Sequence, residues 1–312
     1  MTPDLVADLS HNALLAVTGD DAGDFLHAQF TNDVQALHTG EAQWNGWCTP
    51  KGRLLATFLL LRRAEGYLMM LPAEIAAPIA KRLGMFVLRS KVKIQDVSEL
   101  YARIGIAGPN AGTLVDGHWG ARPAPMRSAE KDGAVAVALG DDRFVALIPP
   151  QAAPAFWDLF PGKWQRAGAD EWERTSILAG IPIIVAATQE AFVPQMANFE
   201  LVGGVSFKKG CYPGQEIVAR MQYRGGLKRR MALAHVAGAA RPAPGQSVYS
   251  SAFGEQAAGM IVNAAPSPEG GFDALVVAQI ESLAQGDLHL DSLQGPKLEI
   301  RSRPPLTAEA AS

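Results

Sequence analysis

Apolar and polar positions alternate with a period of two in several short runs, the pattern of half-buried strands. Gln43–Thr49 and Arg53–Arg63 read as strands flanking the turn Pro50-Lys51-Gly52, and Tyr67–Leu71 follows. Val92–Asp96, Arg103–Ala107, Ala134–Leu139 and Phe144–Ile148 have the same character. Helical spacing appears elsewhere. Gly19–Asp33 reads as a helix capped by Asp20 or Asp21, with Phe25, Leu26 and Gln29/Phe30 in phase. Ala73–Leu88 sets Ile75, Ile79, Leu83 and Phe86 on one stripe, and Pro78 within it predicts a kink or a late start. Gln151–Leu159 and Ala169–Ala179 are the remaining predicted helices.

Hairpins with helices between them predict an α+β class, antiparallel sheets carrying helices on one side. From Met231 the character changes. Met231–Val236, Ser247–Tyr249, Met260–Asn263, Leu275–Ile280 and Lys297–Arg301 alternate with Gly/Pro punctuation, which predicts a small all-β barrel. The expected organisation is an α+β region over 1–228, a barrel over 229–303 and a disordered tail over 304–312.

Composition changes this picture little. With 48% hydrophobic and 19% charged residues the chain is that of a soluble globular protein. A net charge of −3 gives no overall pull toward nucleic acid or anionic membrane, although Lys228-Arg229-Arg230 is locally basic. Neither direct nucleic-acid binding nor membrane association is expected. Met1–Asp8 has no secretory pattern, and the apolar run Ile177–Ala187 is too short to span a bilayer and contains Gly180 and Pro182. Two cysteines, Cys48 and Cys211, make no disulfide framework, and no CxxC, HxxxH or HExxH spacing occurs. A reducing cytoplasm and no permanently bound metal are the expectations. A phosphate loop and a dinucleotide fingerprint are both absent from the sequence.

Chemistry concentrates in Lys208-Lys209-Gly210-Cys211-Tyr212-Pro213-Gly214-Gln215-Glu216. A helix-like run follows, with Pro213 well suited to be its first residue. Free N–H groups at such a helix start favour a thiolate over a thiol, and the two lysines add positive charge. Glu216 precedes Arg220 by a spacing that lets them pair on one face. The competing reading of Cys211 is a small buried residue at an ordinary loop-to-helix junction. For Cys48, in an alternating strand, core packing is the favoured reading. For Trp172, packing of an amphipathic helix is the plain one.

These segments together resemble the YgfZ family, folate-binding relatives of the glycine-cleavage T-protein, an aminomethyltransferase. KGCYPGQE at 209–216, continuing through Ile217-Val-Ala-Arg220 to Arg224-Gly225, is similar to the family hallmark, and Phe192–Phe207 to its lead-in. Gly19-Asp-Asp-Ala22, Gln29-Phe-Thr-Asn-Asp-Val34 and Cys48-Thr-Pro-Lys-Gly-Arg53 resemble its first helix and early hairpin. The resemblance implies a three-lobed ring, two interleaved α+β lobes and the barrel around a folate-sized hole. It implies a tetrahydrofolate ligand and a role in assembling or repairing iron–sulfur clusters in target enzymes, radical tRNA-modifying ones among them, with iron–sulfur proteins and assembly factors as partners.

The same resemblance casts Cys211 as the functional thiol, with Lys209, Tyr212, Gln215, Glu216 and Arg220 shaping its site. It makes Trp172 a folate-contact position, and a second such tryptophan falls on Asn12. Two carboxylates of the transferase have no counterpart: the hairpin one falls on Ala56/Thr57 and the other on Leu178. Aminomethyl transfer is therefore not expected, since the groups that would handle charge and protons are missing. The alternative is a one-carbon transferase that uses Glu216 as its acid/base.

Overall fold

A computed structural model describes residues 3–160 and 162–302. The tail expected over 304–312 lies outside the described residues. The chain forms two compact units that alternate along the sequence. The first takes the chain up to His27 with Asp33–Trp44 and Phe58–Trp172; the second takes Ala28–Asn32, Asn45–Thr57 and the chain from Glu173 onward.

In the first unit a six-stranded sheet has the order Gln165–Ala167, Leu5–Asp8, Ala102–Ala107, Arg143–Ile148, Ala134–Gly140, Ser128–Lys131, all neighbours antiparallel except the first pair. Its central strands are buried residue after residue, so both faces are covered. Val6, Ile104, Ile106, Phe144, Ala136 and Ala138 share one face with Trp119, Phe156 and Trp164. Gly105 and Val145 pair on the other. A five-stranded sheet has the order Ala42–Cys48, Leu54–Arg63, Gly66–Pro72, Asn12–Thr18, Lys93–Asp96. Asn45–Cys48 and Leu54–Thr57 of its first two strands are assigned to the second unit.

The helix predicted over Ala73–Leu88 runs over Ala73–Gly84. Pro78 sits within it without ending it, and Ile75, Ile79 and Leu83 are buried as their spacing requires. Gly84 and the left-handed Leu88 end the periodicity, so Phe86 leaves the stripe and stands exposed on a turn.

The second unit contains the predicted barrel. Its sheet has the order His289–Leu290, Ser247–Tyr249, Ala257–Pro266, Phe272–Gln279, Arg229–Val236, Leu298–Ser302. A bridge between His289 and Lys297, with the bond from Leu298 N to Leu288 O at 2.8 Å, ties its two edges together. The interior combines the small residues Ala232, Ala234, Ala258, Ala264, Ala274 and Ala278 with Val248, Ile261, Val276, Leu288, Leu290 and Leu298. Side chains fill the interior of so small a barrel. The outward positions Met231, Val262, Leu275 and Val277 are also buried, against Cys48, Leu54, Ile177, Ile184, Phe192 and Ala197. Among the described residues no helix is long and apolar enough to cross a membrane.

One buried charge cluster holds the barrel wall. Asp273, 1% exposed, takes a 2.7 Å hydrogen bond from Arg174 Nε, and His235 Nδ1 lies 3.3 Å from its other oxygen. Burial alone would raise the Asp273 carboxyl; the bonds from Arg174 and His235 outweigh it and hold the group below the usual carboxylate range. The folded value then lies under the unfolded value of about 3.9. The stabilisation is complete above that unfolded value and is lost as pH falls through the folded one. Asp273→Asn should cost roughly 2–3 kcal/mol at pH 7. In denaturant melts the gap from the unmodified protein should close below about pH 4.

Candidate functional site

Four sequence segments meet in the second unit: Phe30–Asn32, Asn45–Arg53, Gln189–Phe207 and Lys209–Arg220. Thr31 is the first knot. Its hydroxyl donates to Gly204 O at 2.6 Å and accepts from Gly46 N at 2.8 Å, while its backbone bonds Gly46 and Ser206. Asn32 Nδ2 donates to Gly203 O at 2.7 Å. A β-carbon on Gly46 would come within 2.8 Å of Leu54 Cδ2 and 3.2 Å of Phe199 and Thr31, so a larger residue there requires these side chains to shift.

The early hairpin makes the second knot. Thr49 N bonds Arg53 O and Gly52 N bonds Thr49 O, each at 2.8 Å. Gly52 and Gly214 both have positive φ, +71° and +82°, and their backbones touch. A β-carbon on Gly214 would lie 2.4 Å from Thr49 O and 2.5 Å from Gly52 Cα. This contact corrects the expected helix start. Gly214, held left-handed, is the N-cap, and the helix runs over Gln215–Arg224, leaving Pro213 outside it.

The thiol loop lies between these constraints. Lys209 and Tyr212 are buried; Lys208, Gly210 and Cys211 are exposed. Lys209 Nζ donates to Phe30 O at 2.7 Å and stands 4.8 Å from the centroid of the Tyr212 ring, a cation–π contact. Gln215 Nε2 reaches back to the carbonyls of Lys209 and Gly210, each at 3.3 Å. Two anchors point inward and an amide closes the loop, so Cys211 is turned to solvent. Cys48 is its opposite: buried in the core behind the barrel, with burial pushing its thiol far above the usual range. Burial also raises the Tyr212 phenol, and Cys48 adds to the effect. Glu216 and Arg220 are both exposed, and among the described residues no ion pair joins them.

The lead-in segment wires the helix and the barrel together. Gln195 Nε2 donates to Val218 O at 2.7 Å, and Asn198 Nδ2 to Met231 O at 2.8 Å. Arg230 Nη1 bonds Gln195 O at 3.0 Å, Asn198 Oδ1 and the Glu200 carboxylate. Burial raises the Glu200 carboxyl, and Arg230 opposes the shift. Sequence reasoning does not reach Gln195, Asn198 and Glu200, and it meets Arg230 only as part of the basic run Lys228–Arg230. The available signal was three polar residues in an otherwise apolar stretch.

The two positions matched to transferase carboxylates have plain structural surroundings. Ala56 is buried, and the buried Thr57 hydroxyl donates to Pro182 O at 2.8 Å and accepts from Ile184 N at 3.0 Å. Leu178 is exposed at the end of the helix Ala169–Leu178.

The other two predicted positions lie in the first unit. Trp172 is 4% exposed. It covers Gly105, where a β-carbon would come within 2.4 Å of the indole, and the buried guanidinium of Arg143 lies 4.9 Å from its ring centroid. Burial brings Arg143 down to about 10. Asn12 begins the strand Asn12–Thr18 opposite Pro72, half-buried. Among the described residues its side-chain amide makes no hydrogen bond. No group of three or more His, Cys, Asp or Glu is placed to hold a metal among the described residues.

Comparison with known proteins places this arrangement. Residues 5–122 match the family model described as the GCVT N-terminal domain. The glycine cleavage system aminomethyltransferase T from Bartonella henselae superposes with a TM-score of 0.79 over 97% of this chain and 86% of its own, at 17% identity. The fold is therefore that of the T-protein. The tRNA-modifying protein YgfZ of Cronobacter sakazakii is 30% identical over 239 residues, 76% of this chain and 72% of that protein. Its namesakes from Escherichia coli O127:H6 and Shigella sonnei are 29% and 30% identical, over 76% and 74% of this chain and 73% and 71% of their own lengths. The chain belongs to the YgfZ family.

The glycine contact gives a sharp test. Gly214→Ala adds both a left-handed alanine and a backbone clash, so it should cost about 2–4 kcal/mol in denaturant melts. Gln215→Ala, which releases only the loop closure, should cost roughly 1 kcal/mol. Equal costs would show that the contact carries no special weight.

Proposed function

We propose that the protein is a folate-binding accessory factor that supports assembly or repair of iron–sulfur clusters in target enzymes of the cytoplasm, radical tRNA-modifying enzymes among them. Cys211 is its working thiol. The observation that carries this reading is the pairing of a solvent-facing Cys211, held between buried Lys209 and Tyr212, with non-acidic residues at Ala56, Thr57 and Leu178. A thiol is presented where it can meet another protein, and the acids of aminomethyl transfer are absent. The relatives named as tRNA-modifying proteins support the same role. Its partners are the client enzymes and cluster-assembly factors, with no direct contact to nucleic acid.

Tetrahydrofolate or a derivative is the proposed ligand, and the fit differs between the two carried-over positions. Asn12 offers an amide whose side chain makes no hydrogen bond among the described residues. Trp172 is covered by Gly105 and Arg143 of the same chain, so its indole buttresses the sheet and offers no open stacking face. Tetrahydrofolate would supply a one-carbon carrier, and this chain's residues would bind and orient it.

A strain lacking the gene should lose most cluster-dependent tRNA modification, and a Cys211→Ala copy should restore less than about a tenth of it. Full restoration would remove the thiol from the reading. In calorimetry, tetrahydrofolate should bind both proteins alike, and Asn12→Leu should weaken binding about tenfold, the effect of one lost polar contact. Turnover of a one-carbon folate by pure protein, abolished in Glu216→Gln, would replace this reading with a transferase.

A further inference from the structure

The turn after the helix Ala73–Gly84 displays three large apolar side chains in four consecutive positions. Met85 is 63% exposed, Phe86 45% and Leu88 89%. Single exposed apolar residues are ordinary; a contiguous group is not. The backbone beneath them is ordered. Phe86 N bonds Leu83 O, Val87 N bonds Gly84 O and Ser90 N bonds Val87 O, at 3.0, 3.2 and 2.8 Å. The far end is clamped: Lys91 N donates to the Asp21 carboxylate at 2.7 Å, and Gly19 packs against Lys91 O. Leu88 has φ +47°, a left-handed conformation leucine adopts only when its surroundings impose it. The fold thus holds this leucine outward.

Charge identifies the occupant. Between Glu74 and Asp96 the chain carries Lys81, Arg82, Arg89, Lys91 and Lys93 and no Asp or Glu. Asp20 pairs with Lys91 at 3.1 Å; Lys81, Arg89 and Lys93 are exposed and enter no ion pair among the described residues. An apolar tip flanked along the chain by exposed cations complements an apolar surface bordered by carboxylates. A second copy of this face would bring like charges together. A nucleic acid would match the cations but leave Met85 and Leu88 against phosphate and sugar, with Phe86 the sole ring to stack on a base.

We propose that Gly84–Ser90 is a docking surface for a partner protein that presents an apolar patch bordered by acidic side chains. This inference is independent of the folate and thiol reading. The ordered, strained turn is pre-organised, so little ordering cost is incurred on docking.

The probe is a synthetic amphipathic helical peptide with a Leu/Phe face flanked by glutamates, titrated by fluorescence anisotropy against the full chain. Binding should weaken at least tenfold in Leu88→Gly, which keeps the backbone conformation while removing the side chain, and in Arg89→Glu. It should also fall as salt rises from 0.05 to 0.5 M on the scale of a Debye length that shrinks to a few ångströms. Melting curves confirm that both variants fold. A glutamate-to-lysine version of the peptide should not bind. No binding, equal binding by the variants, tighter loop-dependent binding of phosphatidylglycerol vesicles or single-stranded RNA, or loop-dependent self-association in sedimentation would each overturn the proposal.

Discussion

The second unit depends on one close approach, the backbone of Gly214 against the Thr49–Gly52 turn. It joins segments more than 150 residues apart in sequence, and it works because neither glycine carries a β-carbon. From it follow the left-handed cap at Gly214, the start of the helix at Gln215 and the fixed exit of the thiol loop. Loop position then rests on two inward anchors, Lys209 on the Phe30 carbonyl and Tyr212 beside Cys48, with the Gln215 amide closing the loop. With both side chains committed inward, the intervening Cys211 is left facing solvent. Exposure of Cys211 accords with the anchoring of its neighbours.

The same unit explains why no carboxylate stands at Thr57. Its hydroxyl donates to Pro182 O and accepts from Ile184 N, both in the buried interior. An ionised carboxylate accepts only, so it would face the Pro182 carbonyl with repulsion and bear the desolvation cost of a buried charge. Asn263 works beside it, bonding both the N–H and the C=O of Ile183 at 2.9 Å. Two neutral side chains hold the stretch 182–184 against the barrel, and each supplies donor and acceptor together. The path of the chain at this point selects against an acid.

Much of this was legible in the sequence because it is written in glycines, turns and periodicity. The barrel strands, the hairpin about Pro50-Lys51-Gly52 and the signature loop all follow from local rules, and their family resemblance is carried by the same residues. Features that depend on distant partners were not legible. Pro213 suits a first helical position by local preference, but Gly214 is forced left-handed by the hairpin and moves the start beyond it. Trp172 sits on an amphipathic helix whatever its role; only the bare Gly105 opposite shows that its indole fills the sheet surface. Gln195, Asn198 and Glu200 look like an ordinary polar sprinkling until Arg230 and Met231 arrive from the barrel.

The turn at 85–90 shows how an average can hide a local property. A net charge of −3 argues against attraction to anionic partners only if the charges are evenly spread. Here five cations fall between Lys81 and Lys93 with no acid among them in sequence, Asp20 and Asp21 meet this stretch at Lys91, and the screening length in physiological salt, about 8 Å, is shorter than a domain. A partner at this turn therefore meets the local field and not the total. The helical stripe through Ile75, Ile79 and Leu83 hid the apolar half of the feature in the same way, because Phe86 continues the spacing after the helix has ended. Once Gly84 closes the helix, that side chain has no core to enter and remains at the surface beside Met85 and Leu88.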